Sequence, residues 1–130
     1  MLREANSPLR ILAVDDDPMV CDSILMMLAY DGHKVMTAED GEAALALLEQ
    51  HSFDVVLLDY TMPGMKGDAL AAAIKVRAPD LAVVMITAHG RLSANPFNLP
   101  AGVDYLLGKP FTLEGLRAAV AGALREKKPA

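Results

Sequence analysis

Short, almost wholly apolar runs alternate along this chain with segments of helical periodicity, and few architectures accommodate that alternation. The run LRILAV at 9–14 precedes PMVCDSILMMLAY, where Val20, Ile24, Met27 and Leu28 recur at helical spacing and Gly32 supplies a stop. HKVMTA at 33–38 reads as a second strand, and GEAALALLEQ as a helix with Ala44, Leu47 and Leu48 on one face. FDVVLLD at 53–59 is a third strand, followed by the helix GDALAAAIKVR with Leu70, Ala73 and Ile74 at helical spacing. LAVVMIT at 81–87 is a fourth. The pattern then falters, because GRLSANPFNLPAG holds Asn95, Pro96, Asn98 and Pro100, so a helix there is expected to be short or irregular. VDYLL at 103–107 reads as a fifth strand, and TLEGLRAAVAGALRE as a last helix burying Leu116, Val120 and Leu124.

Strands taking turns with helices imply right-handed crossovers and a parallel sheet covered on both faces. Five such strands predict an α/β, flavodoxin-like doubly wound sheet of order 2-1-3-4-5, with its functional crevice beyond the carboxyl ends of the strands. The 130 residues, 53% of them hydrophobic, suit one compact domain, expected over 8–126 between a flexible N-terminus (1–7) and a short tail (127–130). Mean hydropathy is high at +0.28, yet no apolar run approaches the roughly 18 residues of a membrane span. The N-terminus does not read as a signal peptide, and a single cysteine, Cys21, suits a reducing compartment, so a cytoplasmic protein is expected. A net charge of -5 with scattered basic residues argues against nucleic acid as a direct partner.

The strand ends therefore carry the chemistry. Strand one ends in Asp15-Asp16-Asp17, strand three in Asp59, strand four in Thr87, and Lys109 follows strand five. Two carboxylates about 4 Å apart repel by on the order of 4 kcal/mol at an effective dielectric near 20, more than one lysine offsets. Either the acids protonate or a divalent cation joins them, and an all-oxygen site with room for water suits Mg²⁺. Asp17 before Pro18 reads instead as a helix N-cap. A carboxylate on a rigid strand end beside a cation, an ammonium and a hydroxyl is placed to attack phosphorus, so Asp59 is the candidate nucleophile.

Through ILAVDDDP, DVVLLDYTMPGMKG, VVMITAHG and GKPF, in that order and spacing, the chain resembles the receiver domain of two-component response regulators over residues 8–126. The resemblance implies Asp59 as phosphoacceptor, with Mg²⁺ held by Asp15 (through water), Asp16, Asp59 and the backbone carbonyl of Thr61. It implies Thr87 as the switch hydroxyl, Ala88 as the small residue admitting phosphate, Lys109 as the phosphoryl-binding lysine, and a cis Lys109-Pro110 bond. It further implies a signalling phosphoacceptor rather than an enzyme, one that assists its own Mg²⁺-dependent phosphorylation and dephosphorylation. The donor would be a histidine kinase or phosphotransfer protein. A downstream protein would be met through a face including Tyr105, Leu106 and Pro110. A monomer or weak dimer, stand-alone or cut from a longer protein, and no membrane contact complete the expectation.

Two departures bear on output. The switch aromatic of the family falls at Leu106 here, and Tyr105 beside it should point to the opposite face of the strand. The proline-bearing segment 91–100 falls where the family has its fourth helix. Lys66 stands where an acid is common. His33, His51 and His89 lack metal-ligand spacing and read as surface residues, whereas Met26, Met27, Met36 and Met85 read as core and Met62 and Met65 flank the site. Rival functions fit less well: a haloacid-dehalogenase-like phosphatase needs Gly-Thr after its acids, a flavin carrier needs a phosphate loop, and neither nucleotide-binding glycine motif is present. The alternative is a receiver-like binding module not regulated by phosphorylation.

Overall fold

The computed structural model describes residues 8–60, 66–88, 99 and 101–126. In chain order the elements are β1 (Arg10–Val14), α1 (Pro18–Tyr30), β2 (Lys34–Ala38), α2 (Gly41–Gln50), β3 (Val55–Asp59), α3 (Gly67–Arg77), β4 (Ala82–Ala88), β5 (Tyr105–Lys109) and α4 (Leu113–Glu126). All strand pairs are parallel and the order is β2-β1-β3-β4-β5, as the alternation requires. The segment 91–100 of the expected irregular helix lies outside the described residues except for Leu99, as do both chain ends, 1–7 and 127–130.

Two apolar layers flank the sheet, and strand periodicity assigns residues between them. Ile11, Ala13, Val55, Leu57, Val84, Ile86 and Leu107 face α1 and α4, meeting Ile24, Leu28, Leu116, Ala119, Val120 and Ala123. Leu12, Val14, Val56, Leu58, Val83 and Met85 face α2 and α3, meeting Ala44, Leu70, Ala71 and Ile74. Because β3 is buried on both faces along its whole length, it reads in sequence as unbroken hydrophobicity rather than alternation.

The helix starts follow local chemistry. Asp17 caps α1 by accepting from the Met19 N–H, with Pro18 in the first turn, and Asp40 caps α2 by accepting from the Ala43 N–H. Helix α1 ends at Asp31, after which Gly32 takes a φ of 89° that favours glycine.

Three sequence expectations need correction. Strand β5 begins and ends two residues later than VDYLL, so Lys109 is its last residue rather than a follower; Val103 packs in the core before the strand starts. Met26 is 70% exposed, because helical spacing puts it opposite the Ile24 and Leu28 stripe, while Cys21 takes the buried place on that stripe. His33 is half-buried and uses its Nδ1 to accept from the Leu9 N–H at 3.0 Å.

At the amino ends of the strands, Asp104 accepts from Val83 N–H (2.9 Å) and from Lys75 Nζ (3.1 Å), while that ammonium also donates to the Leu81 carbonyl. This knot ties α3 to β4 and to the approach to β5. Asp104→Ala leaves a part-buried ammonium and a backbone N–H short of an acceptor and is expected to cost about 1–3 kcal/mol, measurable by urea unfolding.

Candidate functional site

The carboxyl ends of β1, β3, β4 and β5 converge at one rim, and strand periodicity decides which side chains meet there. Asp59 continues the Val55–Leu57 face of β3 and Lys109 the Tyr105–Leu107 face of β5, both on the α1/α4 side. Asp15, one residue past β1, is held by its own N–H donating to Ala38 O at 3.1 Å and by its Oδ1 accepting from Asp17 N–H at 2.9 Å. It is also backed by Cys21, whose thiol donates to the Asp15 carbonyl at 3.3 Å.

Asp15 and Asp59 are 1% and 3% exposed, and Asp16 is exposed. Carboxylate oxygens of the three lie within 4.8 Å of one another. Lys109 Nζ bridges the two buried members, at 3.2 Å to Asp15 and 3.1 Å to Asp59. Thus a single ammonium faces three carboxylates. Burial and the Asp15 charge push the Asp59 carboxyl above the usual carboxylate range, against the opposing pull of its hydrogen bond from Lys109. Burial works against the Lys109 ammonium, but the hydrogen bond to Asp59 and the charges of Asp15 and Asp59 outweigh it, and its pKa is raised. Burial and Asp15 push the Cys21 thiol up to about 11, so it stays protonated and serves as a prop rather than a nucleophile.

Thr87 is buried on β4 beside Gly108, and Ala88 beside Lys109 is exposed at the mouth. The β4–β5 register runs without a bulge from Val84↔Tyr105 to Ala88↔Lys109. Tyr105 consequently packs on the α1/α4 side with Lys109, whereas Leu106 packs on the α2/α3 side, the side of Met85 and, by periodicity, Thr87. The Tyr105 ring lies against Gly122 of α4, where a Cβ would come within 2.5 Å of it. The Lys109-Pro110 peptide is cis. Thr61, Met62, Met65 and His89 lie outside the described residues.

Two features escaped the sequence reading. Gly67 opens α3 in contact with the Asp59–Tyr60 backbone: a Cβ there would sit 2.6 Å from the Asp59 carbonyl oxygen. A glycine at the first position of a helix after a turn was the available signal. Beside Lys109 a groove of about 460 Å³ is lined by Met19, Val20, Met27, Ala88, Pro110 and Phe111, residues from distant segments that periodicity alone does not unite.

Among the described residues no helix is long and apolar enough to cross a membrane. The family model for the response regulator receiver domain matches residues 11–121. The response regulator MprA of Mycobacterium sp. (strain KMS) is 38% identical over 122 residues, 94% of this chain and 53% of that protein. MprA of Mycobacterium leprae (strain TN) is 37% identical over 93% of this chain and 53% of its own length. The chain thus spans about half the length of the curated relatives it matches. Among solved structures, the response regulator TrrA of Thermotoga maritima, in complex with Mg²⁺-BeF, superposes with a TM-score of 0.79 at 31% identity, over 89% of this chain and 99% of that one. The chemotaxis response regulator CheY4 of Vibrio cholerae gives 0.80 at 28% identity, over 91% and 100%. With the sheet order, the converging acids and the bridging lysine already in place, these likenesses make this chain a member of the receiver-domain family of two-component response regulators.

Proposed function

We propose that Asp59 accepts a phosphoryl group from a phosphohistidine of a histidine kinase or phosphotransfer protein, in the cytoplasm, and that the phosphorylated domain signals by protein contact. The observation that carries this reading is the trio of carboxylates within 4.8 Å, met by a single bridging ammonium that leaves the set net negative. Such a donor set, all oxygen and net negative, fits Mg²⁺, which Asp15, Asp16 and Asp59 would hold together with the carbonyl of Thr61. When bound, the ion neutralises charge on the carboxylates and on a phosphoryl oxygen. TrrA, with its Mg²⁺-BeF, supports the analogy.

An Asp59 oxygen attacks phosphorus while the bond from phosphorus to the donor nitrogen breaks, and the imidazole leaves with its electron pair. Lys109, fixed between Asp15 and Asp59, is the first donor proposed for the charge that grows on the transferring group, and the Thr87 hydroxyl is the second. Ala88 keeps the mouth small-sided. A protein donor reaching Asp59 must cover the surface around the crevice, and the apolar groove of Met19, Met27, Pro110 and Phe111 abuts Lys109 directly. Tyr105, Leu106 and Pro110 are the proposed route from Lys109 to an output partner, with Tyr105 acting on α4 through Gly122 rather than on Thr87.

Incubation with Mg²⁺ and acetyl phosphate tests the reading by intact mass. One phosphoryl group should be gained, and chelation should suppress the gain. A protein that gains none with the ion supplied is a binding module not regulated by phosphorylation.

A further inference from the structure

Strand β2 forms one edge of the sheet. Lys34 N–H donates to Leu9 O and Ala38 O accepts from Asp15 N–H, so the backbone groups of these residues turn inward toward β1. By strand alternation, the N–H and C=O of Val35 and Thr37 point outward, and among the described residues no strand pairs with them. Beside this edge is a cleft of about 230 Å³. The exposed cations Arg10 and Lys34 and the exposed His51 stand on its rim, and the partly buried Val35, Met36 and Phe53 form its floor.

The charge here runs against that of the molecule. The chain carries -5 overall, yet among the described residues no carboxylate forms an ion pair with the Arg10 or Lys34 side chain. Asp54, the acid that meets β1, accepts from the Arg10 backbone N–H at 2.9 Å rather than from its guanidinium. A free edge offers main-chain hydrogen bonds to any extended segment, and the flanking side chains choose among segments. Arg10 and Lys34 stand side by side in register at the amino ends of β1 and β2, which favours a segment that carries carboxylates there. An acidic strand gains from the same two cations.

We propose that the β2 edge binds an extended acidic peptide segment of another protein as a sixth strand. Arg10 and Lys34, on the Met36 face of the sheet by alternation, pair with its carboxylates, and the apolar side chains between these turn to the other face, that of Val35. Arg10 and Lys34 are the first residues of β1 and β2, at the ends opposite Asp59, so this surface stays open while the crevice is occupied. One domain can then hold a phosphodonor and a second partner at once.

The test uses the whole chain and a short fluorescent peptide alternating glutamate and valine, beside its lysine-for-glutamate counterpart. The glutamate peptide should bind saturably and shift the Val35 and Thr37 amide signals. The double variant Arg10→Glu/Lys34→Glu should weaken it about tenfold or more, while accepting phosphoryl from acetyl phosphate at the wild-type rate, which reports an intact fold. Thr37→Pro deletes an outward N–H and spares the inward ladder, so it should also weaken binding. Absence of saturable binding, equal binding of the lysine peptide, or indifference to both variants overturns the proposal. So does dimerisation of the chain that shifts these same amides, which would give the edge to a second copy.

Discussion

Asp59→Asn is expected to raise the melting temperature of the ion-free protein at neutral pH, abolish phosphoryl acceptance, and remove most of the stabilisation that Mg²⁺ confers. The first effect follows from the raised Asp59 pKa, caused by burial and then by Asp15. A carboxyl whose folded pKa lies above its unfolded value binds its proton more tightly in the native state. The native state is therefore favoured below the unfolded pKa, and that advantage is lost as pH rises through the folded one. At neutral pH the ionised Asp59 is thus a cost that asparagine lacks. Two carboxylates at this spacing repel by about 3 kcal/mol at an effective dielectric of 20, and Lys109 offsets part of it, leaving a gain of roughly 1–2 kcal/mol. That corresponds to about 3–8 °C for a domain of this size. The gain should fade in acid, where wild-type Asp59 is protonated. With Mg²⁺ the order should reverse: at a hundredfold excess over Kd the proposed ion would stabilise wild type by about 2.7 kcal/mol, and the variant by much less. Paired thermal melts with chelator and with Mg²⁺ read both effects. A variant less stable than wild type in chelator would show that Asp59 is not under strain from its neighbours.

Sheet order and most element bounds were legible because this fold writes itself in hydrophobic period. Helices α1, α2 and α3 fall where Pro18–Tyr30, Gly41–Gln50 and Gly67–Arg77 were read, since N-caps, glycines and prolines mark their ends. The misplaced β5 shows the limit: Val103 is as apolar as a strand residue but packs from a loop, and Gly108-Lys109 look like a turn yet complete the ladder with Thr87 and Ala88. The site was legible for the same reason that the strand ends were. Asp15, Asp59 and Lys109 meet because parallel strands in register bring their last residues to one rim, and periodicity turns them to one face. Met26 was misread because composition, not helical phase, suggested burial. The groove beside Lys109 and the contact of Tyr105 with Gly122 depend on how α1 and α4 sit on the sheet, which no local pattern states.

Gly67→Ala is expected to slow phosphorylation by about 10- to 100-fold while leaving the helical content intact. The Cβ of alanine would lie 2.6 Å from the Asp59 carbonyl oxygen and 2.8 Å from Tyr60 Cα, both backbone atoms of the strand end that carries the proposed nucleophile. No side-chain rotation relieves such a contact. Either α3 withdraws, weakening the Gly67 N–H bond to Tyr60 O now at 3.0 Å, or the Asp59–Tyr60 peptide tilts. Tilting moves the carboxylate relative to Asp15 and Lys109, and displacement of a reacting group by about 1 Å can cost on the order of a hundredfold in rate. Overpacking of this kind costs roughly 1–3 kcal/mol in stability as well. The two effects separate cleanly, because Asp104→Ala lowers stability by a similar amount from the far end of the sheet and should leave the rate unchanged. Phosphorylation time courses with acetyl phosphate, run well below both melting transitions, make the comparison. Equal rates in Gly67→Ala and wild type would mean that the turn after β3 absorbs the extra methyl without moving Asp59, and that the glycine serves packing alone.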